Sequence, residues 1–496
     1  MVPRLVLFGC ALAALLPGAG SFEEIQSRIS SFTLKNGMTF IVMQRHQAPV
    51  ATFLTQADVG SVQEVKGITG LAHIFEHMAF KGAPGLGGRN YEEERHALDR
   101  VDQAFIAWRE ERWKGAKADP AKLKELETAF QAAQEGAGKF VVKNEYGDAI
   151  ERAGGRDLNA GTAQDWTRYV FSVPSNSAEL WFFLESERFL HPVMREFYKE
   201  KEVVMEERRM RSESDPIGKL VEEMLHSAFR AHPYAEPVVG HMSDLEEITR
   251  SDAESFFKKY YQPNNLVSVI VGDVDPKQIR ALAETYFERI PSGPRPEPLR
   301  TVEPRQEGEY RVTLRLQSEP VVLLGYHKPD GNHPDDVVYR ALGAVLSEGR
   351  SSRLYTSLVR DKKIAVQAAG FSDLPGRKYP NLFAFFAVAA PGHGNGEIEK
   401  AIDEEIARLE KEPVSEQELE GVKRRARAQL TASFADNLQL ANELASWQVT
   451  TGDWRTLFRQ VDKLDAVTPA DIQRVAKETF RAGNRTIATI EPSEKK

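Results

Sequence analysis

Two segments of the chain, nearly half its length apart, resemble each other. The segment ITRSDAESFFKKYYQPNN, which begins at Ile248, resembles VTPADIQRVAKETFRAGN, which begins at Val467. Each copy has the pattern of a capped helix that leads into a strand beginning with Asn. A repeat of this length predicts two similar α+β domains and not a solenoid of short repeats. The spacing of 219 residues pairs Thr249 with Thr468, Asp252 with Asp471, Lys258 with Lys477 and Asn265 with Asn484.

The repeat sets the expected domain boundaries. We expect a first domain over residues 28–290 and a second over 305–491, joined by the proline-rich stretch 291–304. A chain of 496 residues is too long for one ordinary core, which agrees with this division. The net charge of -8 argues against a nucleic-acid-binding protein, because such proteins need a basic surface.

The N-terminus has the pattern of a targeting segment. Arg4 precedes an apolar run over residues 5–16 and then Pro-Gly-Ala-Gly, which predicts a secretory signal peptide at 1–20 and a secreted or periplasmic protein. The run is too short to span a bilayer, so no transmembrane segment is expected in the mature chain. The alternative is a buried N-terminal helix. Cys10, the only cysteine, lies in this run, so metal ligands of the mature chain must be His, Asp or Glu.

The first domain begins with a predicted hairpin. Residues 31–34 and 39–43 have the pattern of strands, and Asn36-Gly37 between them is a hairpin turn signal. A third strand is expected at 51–54. A helix follows, with Thr69 as its expected cap. Further strands are predicted within 156–173 and at 265–272, and helices over 178–211.

Residues 91–140 differ from the rest of the first domain. They are rich in Glu, Arg, Lys and Ala, and a break at 117–120 divides two helical runs. We expect an inserted helical hairpin that projects from the domain without entering its core. It could equally be a solvated spacer or a binding element. The first run carries apolar side chains at helical spacing: Ala97, Val101, Ala104, Phe105 and Trp108.

The motif His-Ile-Phe-Glu-His at 73–77 carries the chemistry. His73 and His77 are four residues apart and share one helix face, and Glu76 falls on the same side. Two neutral imidazoles at this spacing can hold one Zn²⁺, while the carboxylate can reach a water at the metal. The alternative is a pair of surface histidines on an amphipathic helix.

A third metal ligand must come from elsewhere, because a catalytic zinc usually has three protein ligands. The best candidates are Glu200 and Glu207, which are two helical turns apart and share a face with Val203 and Val204 between them. Apolar neighbours imply burial, and a buried carboxylate needs a metal or another partner. Spacing alone does not choose between the two glutamates.

From about Phe32 to the C-terminus, the chain resembles the inverzincin peptidases of the M16 family, which include pitrilysin, insulin-degrading enzyme and the mitochondrial processing peptidases. The resemblance lies in GLAHIFEHMAFKG at 70–82, DLNAGT at 157–162, EKEVVMEE at 200–207, HPY at 232–234, the strand at 265–272 and SSRL at 351–354.

The resemblance implies a zinc site and a fold. It implies one Zn²⁺ per chain, held by His73, His77 and Glu207, with Glu76 as general base and Glu200 as a carboxylate supporting the ligands. It also implies two α+β halves, each with helices packed on a mixed, largely antiparallel sheet, that close over a chamber.

The resemblance further implies how a peptide substrate is bound. Asn159 and Ala160 match an edge strand that pairs with the peptide by β-addition, and Arg360 matches a substrate-binding arginine. A tyrosine should accompany that arginine, but the chain reads Ile-Ala-Val at 364–366. We therefore expect a homodimer, or a heterodimer with an M16-like subunit that supplies the missing group. A second departure is the gap of 130 residues from His77 to Glu207, which is longer than is usual for the family.

The predicted function is that of a zinc metalloendopeptidase. It would hydrolyse peptides or small unfolded proteins with a metal-activated water, and Glu76 would take up the proton. Three alternatives remain: the zinc-bearing subunit of a heterodimeric peptidase, a non-catalytic scaffold subunit, and a metal hydrolase that acts on other bonds.

Overall fold

The computed structural model describes residues 22–493, which fold into two mixed β-sheets with helices packed against them. The signal peptide predicted at 1–20, with Cys10, lies outside the described residues. None of the helices within 22–493 combines the length and apolar character needed to cross a membrane.

The first sheet has six strands within the described range, in the order β1-β2-β6-β3-β5-β4. Strand β2 runs parallel to β6, and the other neighbouring strands are antiparallel. The predicted hairpin is confirmed, since Thr33 pairs with Thr39 around a turn in which Gly37 has φ +94°. The strands are β1 (Ile29–Thr33), β2 (Thr39–Gln44), β3 (Val50–Ala57), β4 (Arg156–Thr162), β5 (Thr167–Pro174) and β6 (Leu266–Gly272).

Among residues 22–493, the second sheet has five strands in the order β7-β11-β8-β10-β9. Here β7 runs parallel to β11, and the remaining pairs are antiparallel. The order and directions repeat those of β2-β6-β3-β5-β4, which confirms the two-domain prediction. The strands are β7 (Tyr310–Leu316), β8 (Val321–Lys328), β9 (Ala365–Leu374), β10 (Asn381–Ala389) and β11 (Arg485–Pro492).

The helices pack on both sheets. Those before β7 are α1 (Phe22–Ser27), α2 (Leu71–Met78), α3 (Tyr91–Arg112), α4 (Pro120–Gly138), α5 (Glu145–Arg152), α6 (Ala178–Leu190), α7 (Phe197–Arg208), α8 (Pro216–Ala228), α9 (Met242–Glu247), α10 (Arg250–Tyr260) and α11 (Pro276–Phe287). Those after it are α12 (Asp336–Ser347), α13 (Asn395–Lys411), α14 (Glu416–Ser433), α15 (Asn437–Thr451), α16 (Thr456–Asp465) and α17 (Pro469–Thr479).

The repeated segments have the same local structure. Thr249 and Thr468 each cap a helix, α10 and α17, through reciprocal bonds with the aspartate three residues later. Asn265 and Asn484, immediately before β6 and β11, each donate a side-chain hydrogen bond to the carbonyl of the last residue of the preceding helix. The residues that repeat in the sequence are therefore those that cap a helix and those that bond the helix end to the start of the next strand.

The two halves exchange one helix each. Helix α8 precedes the second sheet in the chain but packs on it, with Leu220 and Met224 in one cluster with Leu323. Helix α15 follows the second sheet but packs on the first, with Leu444 beside Leu54. Each sheet is thus covered by its own helices on one face and by a helix from the other half on the opposite face.

The helical hairpin at 91–140 is present as α3 and α4, but the prediction that it stays outside the core is wrong. Val101 and Phe105 of α3 are buried in the main cluster of the first half. The ring of Phe105 lies 4.4 Å from that of Tyr198 in α7, measured between centroids. An apolar stripe on a helix needs a partner, and α7 supplies it.

Candidate metal centre

The start of α2 is held by carboxylates from other segments. The helix begins at Leu71 with Gly70 as its cap residue in the left-handed region, at φ +93°. Glu64 accepts hydrogen bonds from the backbone N–H groups of Gly70 and Ala72, both at 2.7 Å. The prediction that Thr69 caps this helix is wrong, because its hydroxyl donates to Asp244 instead.

His73, His77 and Glu207 meet between α2 and α7. The Nε2 atom of His73 lies 3.6 Å from one carboxylate oxygen of Glu207, and the Nε2 atom of His77 lies 3.6 Å from the other. These distances are too long for good hydrogen bonds. Two atoms that each lie about 2.1 Å from one tetrahedral ion are separated by about 3.4 Å. The three side chains, whose ligand atoms all lie within 4.8 Å of one another, therefore fit a shared metal ion.

The two imidazoles have different electrostatic environments. Burial lowers the pKa of His73 to about 3, and the charges of His77 and Arg211 add to this effect. His73 is therefore neutral, as a metal ligand must be. Burial opposes protonation of His77 as well, but the nearby carboxylates of Glu200, Glu76 and Glu207 outweigh it and raise its pKa.

Glu200 lies on the opposite side of the His77 ring from Glu207. Its carboxylate is 3.5 Å from Nδ1 of His77 and 2.6 Å from Nζ of Lys81. Burial disfavours its ionised form, yet the contacts with His77 and Lys81 lower its pKa to about 2. A carboxylate on the second ring nitrogen of a metal-binding histidine fixes the orientation of the ring.

Glu76 stands beside the three ligand candidates without joining them. Its carboxylate is 3.9 Å from Nε2 of His73, and burial raises its pKa above the usual range. Together with His77 it lines a cavity of about 660 Å³. Asn159 and Ala160 of β4 line the same cavity.

Strand β4 is an edge strand. Asn159 and Ala160 pair on one side with Val170 and Tyr169 of β5, and β4 ends the order of the sheet. The backbone on its outer side is therefore free of a strand partner within residues 22–493, and the residues there are partly or fully exposed.

The other predicted substrate-binding residue lies elsewhere. Arg360 is in a π-helical segment, Tyr355–Asp361, where it is exposed and pairs with Asp361 at 2.7 Å. Val366, where a tyrosine was expected, is 59 % exposed at the start of β9. Neither residue is among the described residues that line the cavity with Glu76.

Two charged residues of the site were not predicted from the sequence. Lys81 bridges Glu196 and Glu200, and Arg211 lies 2.7 Å from a carboxylate oxygen of Glu207. Each follows a site residue, His77 or Glu207, by four positions. For Arg211, the spacing of one helical turn from Glu207 was the available signal. Lys81 lies beyond the end of α2 and pairs with Glu196 and Glu200, so local spacing gives no signal for it.

Two family models match the chain. "Insulinase (Peptidase family M16)" matches residues 39–112 and 133–241, and "Peptidase M16 inactive domain" matches 247–426. The first match is interrupted at 113–132, so α3 belongs to the family pattern. The additional segment is the tip of the hairpin with the first part of α4, and not the whole of 91–140.

Curated relatives align over most of the chain. Zinc protease PqqE of Helicobacter pylori is 27 % identical over 499 residues, which covers 99 % of each chain. The "probable mitochondrial-processing peptidase subunit beta" of Schizosaccharomyces pombe is 23 % identical over 474 residues, covering 90 % of this chain and 87 % of its own length.

Solved structures have the same fold. A protease from Helicobacter pylori superimposes with a TM-score of 0.78 at 26 % identity and covers 94 % of this chain and 99 % of its own. The periplasmic protease PqqL from Escherichia coli gives a TM-score of 0.70 at 17 % identity, over 94 % of this chain and 48 % of its own. From the two family models and these relatives, the chain belongs to the M16 family of zinc metallopeptidases.

Proposed function

We propose that this chain is a zinc-dependent endopeptidase that cleaves extended peptides. The observation that carries the proposal is the position of Glu207, which presents one carboxylate oxygen to Nε2 of His73 and the other to Nε2 of His77 at equal distances of 3.6 Å. A zinc ion held by these three residues would lower the pKa of water at the site and polarise the peptide carbonyl.

Glu76 is the proton carrier in this proposal. Its carboxylate takes a proton from the attacking water and delivers it to the nitrogen of the leaving amine. Burial raises its pKa from the ordinary value, which brings the group closer to the pH at which it must both accept and donate a proton. Glu200 and Lys81 keep the ring of His77 in place during these steps.

The edge strand β4 orients the substrate. An extended peptide can add to its free side as a further strand, so that main-chain hydrogen bonds hold the peptide beside Glu76. Leu158, Asn159 and Ala160 of β4 all line the cavity shared with Glu76, and Asn159 and Ala160 are the two that the family resemblance assigns to this role. Such binding depends on the main chain and suits unfolded substrates.

A periplasmic or secreted location completes the proposal. It rests on the predicted signal peptide at 1–20 and on the periplasmic protease PqqL, which shares the fold.

The test compares Glu76→Gln with the wild-type chain in a quenched-peptide assay and in metal analysis. Glu76→Gln should abolish peptide cleavage and retain about one zinc per chain, because glutamine keeps the shape but cannot accept the proton. Glu206→Gln is the matched control, since Glu206 is exposed and pairs with Arg209. If Glu76→Gln loses as much zinc as His73→Ala, Glu76 is not the proton carrier proposed here. If the wild-type chain cleaves only esters or simple amides, it is a hydrolase of another class.

A further inference from the structure

A second group of metal-binding side chains lies near the start of α2. His226 is on α8, and Glu236 and His241 belong to the segment between α8 and α9. One ligand atom from each lies within 4.8 Å of the other two. Glu236 is buried, and the two histidines are partly exposed, so an ion from solvent can reach the group.

The three side chains already contact one another. Nε2 of His241 is 2.7 Å from a carboxylate oxygen of Glu236, and the rings of His226 and His241 stack with centroids 5.6 Å apart. The hydrogen bond is about 0.7 Å shorter than the separation expected for two ligands of one tetrahedral ion. A small rotation of either side chain would accommodate a metal in place of the shared proton.

The surroundings favour a cation. The positive partner of the buried Glu236 is Lys66, whose side chain is 84 % exposed and lies 3.5 Å away. Burial raises the pKa of Glu64 to about 8, and the nearby charges of Asp244 and Glu236 contribute to this rise. The negative charges of Asp244 and Glu236 therefore act on this region, and the exposed Lys66 offsets them only in part.

We propose that His226, Glu236 and His241 form a second metal site that takes a borderline divalent transition ion such as Zn²⁺. Two imidazoles and one carboxylate are ligands typical of Zn²⁺, Co²⁺ and Ni²⁺, and not of Ca²⁺ or Mg²⁺. Three protein ligands leave one position for water. The site is separate from the proposed catalytic centre in its ligands and does not depend on the proposed function.

The location gives this ion a structural role. Helix α8 packs on the second sheet, whereas the backbone N–H of His241 donates to the hydroxyl of Thr69 just before α2. Asp244, three residues later, accepts from the N–H groups of Gly67 and Thr69. An ion bound by His226 of α8 and by His241 therefore links the second sheet to the segment just before α2, the helix that carries the His-x-x-Glu-His motif.

Metal stoichiometry tests the site directly. After chelation and reloading with Co²⁺, the wild-type chain should bind about two ions, and both His73→Ala/His77→Ala and His226→Gln/His241→Gln about one. The combination of all four substitutions should bind none. His333→Ala/His393→Ala, which alters one exposed and one partly exposed histidine elsewhere, is the control and should bind as the wild type does.

The His73→Ala/His77→Ala chain gives a readout that does not depend on folding of the other variants. It should still show the visible d–d absorption of Co²⁺ in a nitrogen and oxygen site, and its melting temperature should rise when Zn²⁺ is added. If this chain binds no Co²⁺ and its melting temperature is unchanged by Zn²⁺, the second site does not exist. Retention of two ions by the same chain would instead count against the proposed catalytic ligands.

Discussion

Glu200 and Glu207 share one face of α7, yet each meets a different atom of His77. Glu207 faces Nε2 at 3.6 Å and Glu200 faces Nδ1 at 3.5 Å. Helical spacing predicts which residues share a face, but not which ring nitrogen each one meets. That depends on how α2 and α7 cross, which local sequence does not encode. The choice of Glu207 therefore came from the family resemblance alone, whereas His73, Glu76 and His77 could be proposed from the motif.

This difference predicts the order of effects on metal binding. Glu207→Gln should weaken zinc binding strongly, because a proposed direct ligand is lost. Glu200→Gln should cost only about 10–100-fold, since the histidine remains but is less well oriented. Competitive zinc titration with a chromophoric chelator measures both. The reverse order would move the third ligand to Glu200.

A second residue-scale prediction concerns Gly70. Gly67 and Gly70 both have positive φ, +99° and +93°. A Cβ on Gly70 would lie 2.5 Å from the carbonyl oxygen of Val239, whereas a Cβ on Gly67 would have no neighbour within 4 Å. Gly67→Ala should therefore cost only the backbone strain, about 1 kcal/mol, and Gly70→Ala clearly more, with weaker zinc binding. Thermal denaturation of both variants measures the loss of stability. Equal losses would show that the backbone at Val239 moves aside at little cost.

Helix α3 was predicted correctly from the spacing of its apolar residues, but it was placed outside the core, which is wrong. The spacing of Ala97, Val101 and Phe105 predicted the helix, and the same spacing defines an apolar face that must be buried. The high charge of the surrounding sequence suggested a projecting hairpin. Most charged residues of α3 lie on its solvent side, although Glu94 and Glu111 are buried. The overall charge of the sequence therefore does not reveal what packs against the apolar face.

The burial of α3 predicts a large effect of one substitution. Phe105→Ala should reduce the free energy of unfolding by about 3–5 kcal/mol, because it removes a buried ring packed on Tyr198. Ile106→Ala, at the adjacent and exposed position, should cost about 1 kcal/mol or less. Denaturant titration of both variants tests this. Similar small costs would support a hairpin that stands apart from the core.

At the scale of the whole molecule, the repeat predicted two similar domains but not the exchange of α8 and α15. Comparing two copies of a sequence indicates that each forms the same fold. It does not indicate against which of the two sheets a given amphipathic helix packs. The expected boundaries at 28–290 and 305–491 therefore separate the first sheet from α15 and the second sheet from α8, although these helices cover those sheets.

This exchange predicts the behaviour of fragments. Residues 28–290 produced alone should aggregate, because the face of the first sheet that contacts α15 and the apolar face of α8 would both be exposed. Production together with residues 305–491 should restore solubility. Size-exclusion chromatography provides the measurement. A soluble, monomeric 28–290 fragment that binds zinc as the full chain does would contradict the expectation.

The second whole-molecule prediction concerns a partner chain. Arg360 and Val366 do not line the cavity beside Glu76, and no tyrosine stands at 366. We expect the isolated chain to be slow, because loss of one donor to the oxyanion can cost about 10²–10³ in rate. Addition of an M16-like chain that carries both the arginine and the tyrosine should raise peptide cleavage. A homodimer is the competing assembly. Full activity of the isolated chain, unchanged by any such homologue, would contradict the pairing.

The reciprocal exchange of α8 and α15 also limits how the protein can admit a substrate. Neither half can swing away on the linker at 291–304 without withdrawing a helix from the other's sheet, and that would expose two apolar surfaces together. The two halves of the chain should therefore move together as one rigid body. If two such chains face each other across the cavity of about 660 Å³, a larger substrate would enter only as the chains separate, and the rate of that separation would limit turnover.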